Sequence, residues 1–179
     1  VVCGGDGSGK STLLRLMAGA LAVASGRLAL NGCLLTEQPA AYRSQVFWCD
    51  PVDPALDDLG ARAYLAHHRQ AWPAWDEAVL ADDLEALGLT PHLDKPLYAL
   101  STGTRRKLRL AAGLASGAAL TLFDDPLAAL DRRSAAHVLD RLEGLALAES
   151  PSRIVVVAQH DDALDGVPLA ALVRLPDAD

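Results

Sequence analysis

Gly4-Gly5-Asp6-Gly7-Ser8-Gly9-Lys10-Ser11-Thr12 is the most informative stretch of this chain and lies close to its start. It fits the pattern G-x-x-x-x-G-K-[ST], in which glycines let the backbone curl so that successive amides point at phosphate oxygens. In this pattern the Lys10 ammonium faces the outer phosphates and the Ser11 hydroxyl can ligate Mg²⁺. The helix predicted next would aim its positive end at the same phosphates. The stretch therefore predicts a loop that binds a nucleoside triphosphate.

Bulk composition limits the classes of protein to which the chain can belong. Its 179 residues, of which 51% are hydrophobic, suit one domain with a sizeable core. A net charge of −7 argues against nucleic acid as a partner, because such a surface normally carries a basic stripe. The sequence has no apolar run of the roughly 18 residues that a membrane span needs, and no signal-peptide pattern. Cys3, Cys33 and Cys49 lack C-x-x-C spacing, so we predict reduced, mostly buried thiols in a cytoplasmic protein.

The start of the chain is unusual for a phosphate-binding loop. Only Val1-Val2-Cys3 precede the first glycine, whereas the strand before such a loop is normally longer. The single methionine, Met17, falls inside the predicted helix. We therefore expect that the chain lacks its natural N-terminus.

Hydrophobic periodicity predicts strands that alternate with helices. Predicted strands cover 1–3, 26–30 (running into the Asn31-Gly32 turn), 45–49, 118–123, 153–158 and 169–175, and predicted helices cover 11–23, 59–87 (broken at Trp72-Pro73), 102–116 and 132–147. This alternation indicates an α/β fold with a mainly parallel sheet and helices on both sides. We expect a single domain over 1–179, with a P-loop core in 1–56 and 101–179 and an inserted helical subdomain in 57–100.

Two carboxylates and a histidine follow predicted central strands. Asp124 ends an apolar strand, where a P-loop enzyme holds Mg²⁺ through water, and Asp125 stands where a general base would face the γ-phosphate and the attacking water. His160 ends the next strand, at the carboxyl edge where parallel sheets bind ligands, so we predict that it contacts the γ-phosphate.

A short polar stretch precedes the long basic helix. Leu100-Ser101-Thr102-Gly103-Thr104 offers Ser101 as a helix N-cap and Gly103 as a point of close backbone approach. Many helices begin in this way, so the stretch gains its meaning from its position upstream of the Asp124 strand.

Taken together, these motifs resemble the nucleotide-binding domain of an ATP-binding cassette (ABC) ATPase. They occur in the family's order: Walker A at 4–12, the signature at Leu100–Thr104, Walker B at 119–124, the catalytic carboxylate and D-loop at Asp125–Asp131, and the switch histidine His160. The resemblance implies that ATP and Mg²⁺ bind between two such domains paired head to tail, as a homodimer or with a second cassette. Each ATP would lie between the P-loop of one subunit and the signature of the other, and Asp131 would communicate across that interface.

Two departures from the family pattern bear on hydrolysis. The family's base is usually Glu, and the carboxylate of Asp125 is set back by one methylene, about 1.5 Å. Because general-base catalysis depends on hydrogen-bond reach, we predict slow hydrolysis with binding intact. The family also has a glutamine after its third strand that helps to hold Mg²⁺. The best register places Asp50 there as a tentative Mg²⁺ ligand, while Cys49 and Gln45 stay open as alternatives.

Two further groups of side chains have two interpretations each. Arg105-Arg106-Lys107 after the signature could help to hold nucleotide or could form a solvated basic face. Trp72 and Trp75 could face a membrane partner or pack in the core of the helical subdomain.

The resemblance also implies what kind of protein this is. The short helical segment and the single cassette resemble small bacterial exporters, including the haem-exporter type of cytochrome c maturation. We expect an ATPase bound to a transmembrane permease on the inner, cytoplasmic face of the membrane. The alternative is an ATP-gated clamp or regulatory module that hydrolyses little. The signature and His160 argue against a P-loop kinase or GTPase.

Overall fold

The computed structural model describes residues 1–48, 58–148, 153–160, 164 and 166–176. The chain divides into two compact units. The first unit comprises 1–48, 118–126 and 145–179, and the second comprises 49–117 and 127–144.

A five-stranded parallel sheet forms the first unit. Its strands are β1 (Val2–Cys3), β4 (Val46–Trp48), β5 (Leu120–Asp124), β6 (Ile154–Gln159) and β7 (Val173–Arg174), in the order β4-β5-β6-β1-β7. The first four residues of β5 are buried, as expected of a central strand that is covered on both faces. The strands predicted around 1–3, 45–49, 118–123, 153–158 and 169–175 are therefore confirmed, with end points that differ by up to four residues, and so is the α/β class.

Helix α1 (Lys10–Met17) packs against β5 and β6 and buries Leu14 completely. The sequence predicted a helix as far as Val23, and this is wrong because the backbone turns at Gly19, with φ of 69°. The amide of Gly19 donates to the carbonyl of Leu16, and that of Ala20 donates to the carbonyl of Arg15. This pair of bonds is the Schellman arrangement, which ends a helix at a left-handed glycine.

A hairpin and a short helix complete the first unit. Strands β2 (Ala29–Leu30) and β3 (Cys33–Leu34) pair antiparallel around Asn31-Gly32, both of which have positive φ. Such angles are those of a type I′ turn, so the predicted Asn-Gly turn is confirmed. Helix α2 (Pro39–Arg43), which the sequence did not predict, is anchored by the Tyr42 hydroxyl, which donates to the carbonyl of Met17 at 2.8 Å.

The second unit is helical in its described part. It contains α3 (Ala61–Ala71), α4 (Glu77–Ala86), α5 (Thr102–Ala115) and the portion of α6 (Arg132–Ala146) up to residue 144, with short 3₁₀ turns at Thr90–His92 and Leu97–Ala99. Helices α3 and α4 both pack against α5, whose residues from Leu110 to Ala115 are all buried. Asp76 caps α4, because its carboxylate accepts from the amides of Ala78 and Val79 at 2.9 and 3.0 Å.

The turn between α3 and α4 contains both tryptophans of this unit. α3 ends at Ala71, so the predicted break at Trp72-Pro73 is confirmed. The turn lies on the end of α5, since a Cβ on Gly117 would approach the carbonyl oxygen of Ala74 to 2.4 Å. Trp72 and Trp75 are half-buried, which favours packing within the unit over a fully exposed interface. No helix in the described ranges combines the length and apolarity that crossing a membrane requires.

Candidate functional site: the carboxyl edge of the sheet and the signature helix

The glycine-rich loop of the first unit is built around Lys10. The Lys10 ammonium donates to the carbonyl oxygens of Gly4 and Gly5, each at 2.7 Å, and so holds the loop closed over the start of α1. Gly9, the N-cap of α1, has φ of 94° and contributes no side-chain cap to the helix. The first amides of α1 are therefore not covered by a capping side chain, and they form a positive helix end that favours an anion.

Gly4 and Ser8 lie close together inside the loop. A Cβ on Gly4 would lie 2.5 Å from Ser8 Oγ and 3.2 Å from the carbonyl oxygen of Leu175, so a larger residue there would require the Ser8 side chain to move. Ser8 Oγ is buried and has no hydrogen-bond partner among the described residues. Because buried polar atoms are normally satisfied, this hydroxyl indicates that the loop is shaped for an added polar group. The loop geometry fits a phosphate.

Three neighbouring strands end at one edge of the sheet. In the register, Cys3 of β1 pairs with Gln159 of β6, and Asp124 of β5 pairs with Ala158 of β6. Adjacent strands are therefore followed by the glycine-rich loop after β1, the carboxylates of Asp124 and Asp125 after β5, and His160 after β6. Parallel α/β sheets bind their ligands at this carboxyl edge, and the structure brings the predicted residues of the first unit together there.

Asp125 has an unusual backbone conformation. Its φ is 49°, in the left-handed region, which Asp and Asn adopt more readily than other non-glycine residues. Its amide donates to the carbonyl of Ala158 at 2.8 Å, and this bond belongs to the last residue pair of β5 with β6, Asp124 with Ala158. The half-buried Asp125 carboxylate thus leaves the sheet at a fixed angle beside the half-buried Asp124.

His160 lies beside the glycine-rich loop. Its Nε2 is 3.7 Å from Asp6 Oδ1, and both side chains are largely exposed, at 53% and 100%. An exposed ion pair of this kind contributes little to stability. What the contact shows is that the imidazole is within reach of the loop.

Of the three residues that the sequence predicts as Mg²⁺ ligands, Ser11 and Asp124 lie in the part of the chain that the structure describes, and Asp50 does not. Ser11 is exposed in the first turn of α1, and Asp124 is half-buried at the end of β5. Asp50, like the alternative Cys49, lies outside the described residues, and Gln45 Nε2 donates to the carbonyl of Ala41 at 2.8 Å. Within the described part, no three His, Cys, Asp or Glu side chains gather as a metal site. A hydroxyl and a single carboxylate fit a hard cation whose remaining ligands are phosphate oxygens and water.

The signature stretch begins α5 in the second unit. Ser101 is the N-cap, and its Oγ accepts from the amide of Thr104 at 3.1 Å while contacting Thr104 Oγ1 at 2.8 Å. Leu100 is buried, whereas Ser101 and Thr102 are exposed at the tip. The predicted N-cap role of Ser101 is therefore confirmed.

The loop that precedes α6, residues 127–131, lies on the first turns of α5. A Cβ on Gly103 would approach the Ala129 carbonyl oxygen to 2.8 Å, so only glycine permits this contact. Arg106 Nη1 donates to the carbonyl of Ala128. Lys107 Nζ lies 2.5 Å from Asp131 Oδ2. The sequence did not foresee these contacts, and they give Arg106 and Lys107 partners within the unit in place of a solvated basic face.

Asp131 is held by two sets of donors. Besides Lys107, the amide and hydroxyl of Ser134 donate to its carboxylate at 2.9 and 2.8 Å, so Asp131 caps the start of α6. The hydrogen bond from Lys107, followed by those from Ser134, lowers the pKa of Asp131 well below its usual range. Asp131 is thus a fixed anion between α5 and α6.

The thiols agree with the sequence prediction where they are described. Cys3 is buried, Cys33 is half-buried, and both are free; Cys49 lies outside the described residues.

Comparison with known proteins places this geometry in a family context. The sequence matches the family profile described as ABC transporter over residues 1–128. The cytochrome c biogenesis ATP-binding export protein CcmA of Paramagnetospirillum magneticum is 37% identical over 170 residues, covering 90% of this chain and 75% of that protein.

Solved structures share the fold. One described as the ATP binding subunit of an ABC transporter superimposes with a TM-score of 0.80 at 21% identity, covering 97% of this chain and 73% of that chain. A dimeric ATP-binding cassette in a post-hydrolysis state, bound to ADP and Pi, gives a TM-score of 0.73 at 20% identity and covers 97% and 79%.

Proposed function

The chain belongs to the ABC transporter family, and from this premise we propose that it is the ATP-binding and ATP-hydrolysing subunit of a membrane transporter. The observation that carries the proposal is the common sheet edge in the first unit. There the loop closed by Lys10, the carboxylates of Asp124 and Asp125, and His160 follow adjacent parallel strands. ATP-binding subunits of this family are generally ATPases.

Binding begins at the glycine-rich loop, Gly4 to Thr12. Phosphate oxygens would accept from its backbone amides and from Lys10, whose ammonium the carbonyls of Gly4 and Gly5 already orient. Ser11 and Asp124 would hold Mg²⁺, and Asp50 would be a further ligand. When bound, the ion neutralises charge on the β- and γ-phosphate oxygens.

Hydrolysis uses the two groups that follow β5 and β6. Asp125 accepts a proton from the attacking water as the water oxygen bonds to the γ-phosphorus. The bond from that phosphorus to the β–γ bridging oxygen breaks, and ADP leaves with its electron pair. His160 donates a hydrogen bond to the γ-phosphate. Because the Asp125 carboxylate is shorter than the family's usual Glu, we expect slow turnover.

A second chain would complete each ATP-binding site. Residues Leu100 to Thr104 of one subunit would face the nucleotide that the P-loop of the other binds. α5 is a 14-residue helix, and its positive end would stabilise the γ-phosphate charge. One similar structure is described as a dimeric cassette, which supports a paired state. The pair is a homodimer or a pair with a second cassette.

A transmembrane permease subunit is the remaining partner. The CcmA relative is described as an export protein, which supports export at the cytoplasmic face of a membrane. Trp72 and Trp75, in the turn between α3 and α4, are half-buried, and their remaining exposed surface would contribute to such a contact.

The experiment compares ATP turnover of the chain with that of its Asp125→Glu variant. Measurable turnover in the parent supports the ATPase, and faster turnover in Asp125→Glu would show that the shorter carboxylate is what slows it. Turnover that appears only with Glu overturns it in favour of the alternative, an ATP-gated clamp that hydrolyses little. That alternative rests on Asp125 itself, since one missing methylene weakens general-base reach.

A further inference from the structure

The loop of residues 127–131 is bound to the first turns of α5 at three successive points. Gly103 meets the Ala129 carbonyl, Arg106 donates to the Ala128 carbonyl, and Lys107 pairs with Asp131. These contacts lie within the second unit. The loop therefore has a defined position relative to the signature helix of its own chain.

Among these contacts, the ion pair of Lys107 with Asp131 is the one between two opposite charges. Only 17% of its side chain is exposed, so its methylene stem is buried while its ammonium reaches Asp131 Oδ2 at 2.5 Å and the Leu87 carbonyl at 3.3 Å. Fully exposed ion pairs contribute little because water screens them and both side chains stay mobile. A lysine with a buried stem and two acceptors has already lost that mobility.

Asp131 connects Lys107 of α5 to the start of α6. Its carboxylate caps α6 through Ser134 while accepting from Lys107. The loop itself is bent at Ala129, whose φ is 58°, a conformation that a non-glycine residue adopts only when its surroundings hold it. The Lys107–Asp131 ion pair joins this loop to α5.

We propose that Lys107 is a positioning residue: by pairing with Asp131 it fixes the 127–131 loop against the signature helix, so that one chain presents both to the nucleotide bound by its partner. This inference rests on the proposed function, because it assumes that the signature faces a partner's ATP. It adds that signature and loop approach the partner as one preassembled surface, which needs no ordering of the loop at the moment of pairing.

The test removes each side of the pair without removing its other functions. Lys107→Met keeps the apolar stem and deletes the ammonium. Asp131→Asn keeps a good N-cap for α6 and deletes the carboxylate charge. Lys107→Arg restores the charge, and Arg62→Met, which breaks the exposed pair with Asp94 at 2.7 Å, is the matched control. All are made in the full chain carrying Asp125→Asn, and pairing in ATP and Mg²⁺ is measured by sedimentation velocity.

A positioning role for Lys107 predicts a specific pattern of pairing among these variants. Lys107→Met and Asp131→Asn each weaken pairing about tenfold, the size of one charge-assisted hydrogen bond, and together they weaken it no further. Lys107→Arg restores pairing, Arg62→Met does not change it, and ATP binding to the single chain is unaltered. A merely structural role would lower the unfolding temperature and leave the pairing of the folded protein unchanged.

The outcomes separate the two claims. Pairing of the parent with equal pairing of Lys107→Met and Asp131→Asn would overturn this inference and leave the proposed function standing. Failure of the parent itself to pair in ATP would count against the proposed function, and the inference would fall with it. If Lys107→Met does not fold, the pairing of Asp131→Asn is compared with that of Lys107→Arg, and equal pairing of these two variants would overturn the inference.

Discussion

The backbone amide of Asp125 donates to the carbonyl of Ala158 at 2.8 Å, and this bond joins the residue after β5 to the strand that leads to His160. Because Asp125 has a φ of 49°, its side chain leaves the sheet in a direction that an extended residue could not reach. The bond therefore sets the position from which the proposed base acts. The φ value also restricts which residues fit there, since Asp and Asn tolerate this conformation best among residues other than glycine.

Asp125→Asn should abolish turnover and keep the fold. Asn adopts the same left-handed conformation and keeps the amide bond to Ala158, but it cannot accept a proton. We expect a loss of about 100-fold or more in ATP turnover, the usual contribution of a general base, with ATP affinity within about threefold of the parent. Phosphate release and equilibrium ATP binding measure the two quantities. Unaltered phosphate release would remove Asp125 from catalysis.

Local patterns in the sequence predicted most of the first unit. Apolar runs marked β5 and β6 because central parallel strands are covered on both faces, and Asn31-Gly32 marked the hairpin because its positive φ values need such residues. The end of α1 was predicted too late, at Val23, because the apolar pattern continues beyond Gly19, where the backbone turns. Helix α2 is too short to show a periodicity.

Contacts distant in sequence could not be predicted. Asp82-Asp83 looks like part of a solvated acidic helix face, yet Asp83 is completely buried. Its partners, His137 and Arg141, are 54 and 58 residues later, and nothing local announces them. The same holds for Arg106 and Lys107, whose acceptors in the 127–131 loop become visible only once α5 and that loop are folded.

Arg141→Met should destabilise the second unit through Asp83. Asp83 Oδ1 accepts from Arg141 Nε at 2.9 Å and from His137 Nε2 at 2.7 Å. Without the guanidinium a buried carboxylate keeps a single partner, and we expect a loss of about 3 kcal/mol in the free energy of unfolding. Urea denaturation measures it. The control Arg62→Met breaks an exposed pair and should cost less than about 1 kcal/mol; equal effects of the two variants would contradict the buried role of Asp83.

Gly103→Ala should destabilise the docked loop, while Gly144→Ala should not. The added methyl on Gly103 would lie 2.8 Å from a backbone oxygen, that of Ala129, so the loop must shift, at a cost of about 1–3 kcal/mol. Gly144, within α6, has no atom within 4 Å of the same added carbon, and Ala there should stabilise by up to about 1 kcal/mol. Thermal unfolding compares them. A neutral Gly103→Ala would mean that the loop is not held against α5.

His68 should make the protein less stable in mild acid. Burial, and then repulsion from His67, lowers the pKa of His68 to about 4, against about 6.5 when unfolded. Below the unfolded value the unfolded chain binds the extra proton, so stability is complete above about pH 6.5 and falls as the pH drops toward 4. In His68→Gln the unfolding temperature should depend less on pH across this window. His92→Gln serves as the control and should keep the pH dependence of the parent. An unchanged slope in His68→Gln would refute this source of acid sensitivity.

ATP turnover per chain, measured across a range of protein concentrations, tests the central claim most directly. If two chains complete each site, phosphate release per chain should rise with protein concentration, depend on Mg²⁺, and fall to background in Lys10→Ala, which loses the ammonium bound by Gly4 and Gly5. A rate per chain that is independent of concentration would contradict the paired site. Release no greater than that of Lys10→Ala at any concentration would contradict an ATPase.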